Sequence, residues 1–153
     1  MRIALYEPEI PPNTGNIMRL CANTGCELHL IRPLGFSLDD KQLRRAGLDY
    51  HEFAEVAVHD NLEQMLAALH EPRVWTISTR GSRSYSDVRF KANDVLLFGP
   101  ETRGLPQLLI DELGVQHCLR IPMQANSRSL NLSNAAALVL YEGLRQQGFP
   151  SIA

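Results

Sequence analysis

Short apolar runs alternate along this chain with longer segments in which apolar residues recur at every third or fourth position. The short runs are typical of strands, and the longer spacing is typical of helices. The predicted strands are Ile3–Tyr6, Glu27–Ile31, Val74–Ser78, Val95–Phe98 and Cys118–Ile121. Because strands that alternate with helices form parallel sheets, the pattern predicts an α/β fold with a mostly parallel sheet and helices on both faces.

Three segments have the spacing of helices. The first begins at Asn13-Thr14-Gly15, and the second has an apolar stripe from Leu62 to Leu69 behind the capping signal Asp60-Asn61. The third runs from Asn131 to about Gln147 and ends at Gly148-Phe149-Pro150. This last helix is apolar on nearly every side, so it is either the central core helix or part of an oligomer interface. Residues 80–93 form the longest irregular stretch, which favours a functional or mobile segment.

Composition narrows the class of protein. With 153 residues, of which 44% are hydrophobic, the chain is expected to form one domain over residues 1–153 with a buried core. No apolar run approaches the roughly 18 residues of a membrane span, and the first residues resemble a strand rather than a signal peptide. Three cysteines without C-x-x-C spacing and five scattered histidines favour no disulfide framework and no metal site. We therefore expect a cytoplasmic location.

The local distribution of charge says more about nucleic-acid binding than the net charge does. The formal net charge of −2 does not point to nucleic acid, yet all of the 15 basic residues except Lys41 and Lys91 are arginine. Arginine binds phosphate as a fork and stacks on bases. One basic cluster comprises Lys41, Arg44 and Arg45, and a second comprises Arg80, Arg83, Arg89 and Lys91. Each cluster is equally consistent with ordinary solvated surface. Only its position in the fold can distinguish that interpretation from a site that binds nucleic-acid phosphates.

Two segments combine an apolar run with a Gly/Pro turn and a following helical pattern. They are Leu96–Pro106, and Ile121–Met123 with Ser127–Asn134. This arrangement is typical of a ligand site at the carboxyl ends of parallel strands. The chain lacks a complete Walker sequence, a G-x-G-x-x-G after the first strand and a G-x-S-x-G elbow, which disfavours a kinase, a dinucleotide-binding dehydrogenase and a hydrolase.

The remaining candidates form a polar set that suits binding and orienting a ligand more than covalent catalysis. The set consists of Asn13, Asn16, Arg19, Glu101, Arg103, Ser127, Arg128, Ser129, Asn131, Ser133 and Asn134. Taken singly, Ser129, Asn131 and Ser133 also have the pattern of a turn followed by a helix cap.

Three stretches resemble, in order, the three motifs of the SPOUT class of RNA methyltransferases. They are Asn13–Arg19, Phe98–Gly104 and Ile121–Ala135, and the similarity runs the whole length of the chain. Tyr6–Asn13 and Arg44–Tyr50 are most similar to the minimal bacterial subgroup that methylates the wobble ribose of tRNA. The resemblance implies a carboxyl-terminal trefoil knot, a homodimer and S-adenosylmethionine as cofactor.

The resemblance also implies roles for individual residues. Cofactor contacts are expected from Ile77, Gly99, Glu101, Ile121, Ser129 and Leu130, with Gly99 lacking a Cβ so that the ligand can approach. The expected catalytic residues are Arg19, Asn13, Ser129 and Asn131. Because a guanidinium keeps its proton, Arg19 is expected to orient the 2′-hydroxyl and stabilise its developing charge, while water or Ser129 takes the proton.

The implied substrate is the anticodon stem-loop of tRNA, with cytidine or modified uridine at the wobble position, in leucine tRNAs. Its expected contacts are Arg44, Arg45, Arg80, Arg128 and Tyr141, the last on the final helix where two subunits would meet. Two alternatives stay open from the sequence. One is an RNA-binding relative without catalysis, and the other is 2′-O-methylation of another position, such as one in rRNA.

Overall fold

The computed structural model describes residues 1–47 and 56–153. The strands are Arg2–Tyr6 (β1), Glu27–Ile31 (β2), Val56–His59 (β3), Val74–Ile77 (β4), Arg83–Ser84 (β5), Val95–Phe98 (β6) and Cys118–Arg120 (β7). The α-helices are Pro11–Thr24 (α1), Lys41–Gly47 (α2), Leu62–Ala68 (α3), Gln107–Leu113 (α4) and Leu132–Gln146 (α5). Leu48, Asp49 and Tyr50, which belong to the subgroup resemblance, lie outside the described residues.

The strands form one sheet in the order β3-β2-β1-β6-β4-β7-β5, and every pair is parallel. One face packs on α1, α2 and α5, with Ile17, Leu43 and Leu140 in its core. The other face packs on α3 and α4 through Met65 and Ile110. The predicted α/β fold with helices on both faces is therefore confirmed. No helix in the described part of the chain is long and apolar enough to cross a bilayer.

The five predicted strands agree with the structure to within one residue at each end, whereas β3, β5 and α2 were not predicted. α4 is the helical pattern expected after Leu96–Pro106, which the sequence predicted without bounds. β3 is half-buried at every position, so it lacks the fully apolar run of a central strand. β5 has only two residues and lies in the stretch expected to be irregular. α1 begins at Pro11 rather than at Asn13, because prolines fit the first helical turn, where their missing N–H groups are not needed.

Helices α1 and α2 touch at two glycines. A Cβ on Gly15 would lie 2.5 Å from the carbonyl oxygen of Leu43, and one on Gly47 would lie 2.8 Å from the carbonyl oxygen of Gly15. The backbones therefore approach more closely than any side chain permits. This contact fixes α2, with its exposed Arg44 and Arg45, against the helix that carries Asn13 and Arg19.

A buried carboxylate fastens the amino-terminal ends of β4 and β6. Asp94, 2% exposed, accepts hydrogen bonds from Arg73 Nε at 2.9 Å, Trp75 Nε1 at 2.9 Å and the Lys91 N–H at 2.8 Å. Burial on its own would raise the pKa of Asp94. The donors outweigh that effect and hold the pKa below its ordinary value.

We expect Asp94→Asn to lower the free energy of unfolding by about 2–4 kcal/mol at pH 7, since it leaves a guanidinium without its charged partner. Because the folded-state pKa of Asp94 is depressed, its contribution is present above the unfolded-state pKa and is lost as the pH falls through the folded-state pKa. Urea unfolding at pH 7 and at about pH 3 should therefore show the two proteins converging in acid. Equal midpoints at pH 7 would contradict this account.

Candidate functional site

A cavity of about 440 Å³ opens at the carboxyl ends of β4, β6 and β7. Three loops and the start of α1 enclose it, as the strand-end pattern predicted. The residues expected to contact a cofactor all line it, namely Ile77, Gly99, Glu101, Ile121, Ser129 and Leu130. Their roles toward a ligand stay predictions.

A chain of side-chain hydrogen bonds joins the three motifs at the wall of this cavity. Asn131 Nδ2 donates to Asn13 Oδ1 at 2.9 Å, and Asn13 Nδ2 donates to Glu101 Oε2 at 3.3 Å. Asn131 Oδ1 in turn accepts from the N–H of Ser133 at 2.9 Å and caps α5. Asn131 therefore caps α5, as the turn-and-cap pattern predicted, and also lines the cavity. Both amides have one orientation that satisfies every contact.

Glu101 serves the start of α1. Ile10 is the residue that precedes the helix, and its side chain offers no cap, while Pro11 and Pro12 follow it. Glu101 supplies the missing acceptor, because its carboxylate receives the N–H of Ile10 at 2.6 Å and that of Glu9 at 2.9 Å. A carboxylate at this position is also favoured by the helix dipole.

The fold requires a glycine at position 99 for a steric reason that does not involve a ligand. A Cβ at this position would lie 2.3 Å from the backbone nitrogen of Leu105 and 2.6 Å from the carbonyl carbon of Gly104. The expectation that the missing Cβ leaves room for a ligand is therefore incomplete, since the loop after β6 folds back onto Gly99. A larger residue here would displace that loop before it reached the cavity.

The residues expected to bind RNA lie in different places. Arg44 and Arg45 are exposed on α2, and Arg128 is exposed in the loop after β7. Arg80 lines the cavity instead, where it donates to Gln107 Oε1 at 2.9 Å and to the carbonyl oxygen of Leu105. Its guanidinium thus ties two loops of the cavity together.

Arg19 and Tyr141 are exposed on α1 and α5. Arg19 is not among the described residues that line the cavity, although Asn13 on the same helix is. Tyr141 lies beside Phe149, with 6.4 Å between the ring centroids. The chain therefore brings Asn13, Ser129 and Asn131 to one cavity, and Arg19 is not part of its described lining.

Sequence reasoning missed a second set of contacts at the cavity. Arg103 lines it and lies 3.5 Å from Glu7 Oε1 and 3.9 Å from Glu9 Oε2. Thr102 donates its N–H to Glu9, and this bond holds the pKa of the Glu9 carboxyl below its ordinary value. Glu9 falls in the run from Tyr6 to Asn13 that supported the subgroup resemblance, which was the available signal. In the described residues no group of histidine, cysteine and acidic side chains could hold a metal ion.

A parallel α/β sheet with a partly polar cavity at its carboxyl edge is typical of the class of proteins that bind a small ligand at their strand ends. The profile of the SpoU rRNA Methylase family matches residues 1–141. A tRNA (cytidine(34)-2′-O)-methyltransferase from Yersinia pestis is 57% identical over 155 residues, covering 98% of this chain and 96% of that protein. The chain therefore belongs to the SpoU methylase family, and the resemblance seen in the three motifs is confirmed.

Solved structures agree with this assignment. A structure described as giving insights into the 2-OH methylation of C/U34 on tRNA is 46% identical, with a TM-score of 0.89, and the match covers 96% of this chain and 95% of that one. An AdoMet-bound rRNA methyltransferase from Sinorhizobium meliloti is 26% identical with a TM-score of 0.83. That match covers 94% of this chain and 55% of the other.

Two variants separate the helix cap of Asn131 from its bond to Asn13. Asn131→Ser keeps a capping oxygen but is too short to reach Asn13, so it should cost about 1–2 kcal/mol for a buried acceptor left without its donor. Asn131→Ala loses the cap as well and should cost about 1 kcal/mol more. Urea unfolding measures both, with Ser133→Ala as the control that removes only one hydroxyl contact. Wild-type stability of Asn131→Ser would show that the bond to Asn13 contributes nothing.

Proposed function

We propose that this chain, as one domain over residues 1–153, transfers a methyl group from S-adenosylmethionine to the ribose 2′-hydroxyl of the wobble nucleotide of tRNA. The observation that carries the proposal is the hydrogen-bonded chain Glu101–Asn13–Asn131, which unites the three motifs at one cavity. Family membership and the named relatives support it, since several are tRNA (cytidine(34)-2′-O)-methyltransferases. A cytoplasmic location follows from the proposed substrate.

The cavity fits the proposed cofactor. Its volume of about 440 Å³ is within the usual range of small-molecule sites. Ile77, Ile121 and Leu130 offer apolar surface for an adenine ring, and the backbone at the strand ends offers donors and acceptors. When bound, S-adenosylmethionine supplies an electrophilic methyl group on a sulfonium sulfur.

The residues of the chain hold and align the nucleotide. Asn13 and Asn131 are fixed by their mutual bond, so they present a rigid wall to the ribose. Arg19 orients the 2′-hydroxyl and stabilises negative charge as it develops on the oxygen. The proton of that hydroxyl leaves to water or to Ser129 Oγ, which can pass its own proton to water. Alignment of this kind supplies much of the rate acceleration, because the methyl donor is already reactive.

A homodimer would bring Arg19 to the cavity. In one subunit Arg19 is not among the described residues that line the cavity. On α5 the apolar side chains of Leu138 and Tyr141 are 37% and 43% exposed, and Phe149, just after the helix, is 39% exposed. These side chains lie outside the core face of α5, which packs on α1 and β6. Packing of α5 against the partner near its first helix would place the Arg19 of one subunit beside the cofactor loops of the other.

The proposed trefoil knot is consistent with the strand order. β7 is the last strand of the chain, yet it lies between β4 and β5, which precede it. The chain then returns from this position to pack α5 against α1 and β6. A knot would form if the segment between β7 and α5 passes through the loop that joins earlier strands.

Leucine tRNAs, with cytidine or modified uridine at the wobble position, are the proposed substrates. The rRNA alternative has the family description in its favour. A binding protein without catalysis is disfavoured, because Arg19, Ser129 and Asn131 are all present.

The proposed reaction is tested in a strain that lacks the gene. We expect loss of 2′-O-methylation at the wobble nucleotide of leucine tRNAs, restored by the wild-type gene but not by Arg19→Ala. In vitro, Arg19→Ala should lower kcat by about 10²–10³-fold, as loss of a donor to developing charge does elsewhere. Arg19→Lys should also be poor, since a point charge does not replace the planar fork. Intact wobble methylation in the deletion strain would reject the substrate, and near-normal turnover by both variants would reject the role of Arg19.

Separate substitutions distinguish the proposed dimer surface from the proposed RNA surface. Leu138→Glu should give monomers in sedimentation experiments, while Leu108→Glu, at a 70% exposed position on α4, should not. Arg44→Glu with Arg45→Glu should keep the dimer and cofactor affinity but weaken tRNA binding by at least about tenfold and reduce its salt dependence. A fully active monomer would exclude the shared site, and unchanged tRNA affinity would exclude the contacts of α2.

A further inference from the structure

A carboxylate on the loop between β1 and α1 holds the loop that follows β6. Glu9 Oε1 accepts the backbone N–H of Thr102 at 2.9 Å and the hydroxyl of Thr102 at 2.7 Å. In return, Glu101 Oε1 accepts the N–H of Glu9 at 2.9 Å. We name this reciprocal exchange between Glu9, Glu101 and Thr102 the carboxylate clasp.

The backbone of Glu9 is itself fixed from behind. The Gly35 N–H donates to the carbonyl oxygen of Pro8 at 2.9 Å, and the Glu7 N–H donates to that of Ile31 at 3.0 Å. A Cβ on Gly35 would lie 2.9 Å from Cα of Glu9, so the two backbones are in close contact. The clasp is therefore anchored on the β1–α1 loop, and the loop after β6 is the part that it holds.

The clasp acts on groups that form the cavity. Glu101, Thr102 and Gly104 line it, whereas Glu9 is not among the described lining residues. Glu101 also receives Asn13 Nδ2, so its position determines that of the Asn13 amide. The contact of Glu9 with Arg103 is longer, at 3.9 Å, than its two bonds to Thr102. The bonds to Thr102 are therefore the ones expected to control the loop.

We propose that Glu9 is a positioning residue for methyl transfer: by holding Thr102 it fixes Glu101 and the wall of the cofactor cavity. This inference rests on the proposed function, because it assumes that S-adenosylmethionine binds in that cavity. Without the clasp, the loop after β6 would have to be ordered by the cofactor, and the entropy cost of that ordering would weaken binding. Glu9 itself touches neither substrate nor cofactor in this account.

The test is calorimetric titration of the purified full-length protein with S-adenosylmethionine. Glu9→Ala should raise the dissociation constant by about tenfold, because two hydrogen bonds of ordinary strength are lost. Glu9→Gln keeps an acceptor for Thr102 and should stay within about threefold of wild type. Glu112→Gln is the charge control, at an exposed position on α4 outside the described cavity lining. It removes one carboxylate charge and should leave the dissociation constant unchanged.

Steady-state kinetics, and a substitution of the other partner in these hydrogen bonds, test the inference further. The KM for the cofactor should rise in Glu9→Ala more than kcat falls, and Thr102→Val, which removes the hydroxyl bond alone, should be intermediate. Wild-type affinity in Glu9→Ala would overturn the inference. Equal loss in the Ala and Gln variants would overturn it too, since charge rather than the bonds to Thr102 would then matter. Failure of the wild-type protein to bind the cofactor would instead overturn the proposed function, and the inference with it.

Discussion

The hydrogen bond between the amides of Asn13 and Asn131 is the contact on which the site depends. It joins residues 118 positions apart and lies between the start of α1 and the start of α5. Asn13 is 6% exposed, so both polar atoms of its amide need partners. Asn13 Nδ2 bonds to Glu101 and Asn13 Oδ1 bonds to Asn131, so the amide is fully satisfied only when both partners are in place. Docking of the carboxyl-terminal segment and completion of this wall of the cavity therefore depend on the same hydrogen bond.

The sheet makes this meeting possible. β6 lies between β1 and β4, so the loops that follow these three strands emerge side by side. Insertion of β7 next to β4 brings the third motif to the same edge. Each loop then needs only short polar contacts to its neighbours. Close backbone contacts, such as that of Gly99 with Leu105, set the spacing between strand and loop.

Periodicity and apolar runs predicted the elements that are buried on both faces. β6 is buried at all four positions and was predicted to the residue, whereas β3 at the sheet edge was missed because its burial is partial. The motif residues were found, yet their contacts were not. A sequence shows that Gly99 is small, but the neighbour that needs the space is five and six residues away in a folded loop. Likewise, Glu9 resembles any surface acid until Thr102 is placed beside it.

The roles that the residues around the cavity can take depend on which of their polar atoms are already hydrogen-bonded within the chain. Glu101 has its oxygens committed to two backbone N–H groups and one amide, and Asn13 has both polar atoms bonded. Such groups define shape, but they have little capacity left to accept a proton or follow a moving charge. Ser129, by contrast, lines the cavity at an exposed position. The proposed chemistry therefore falls on the open side of the site, where a second subunit and the nucleotide would complete it.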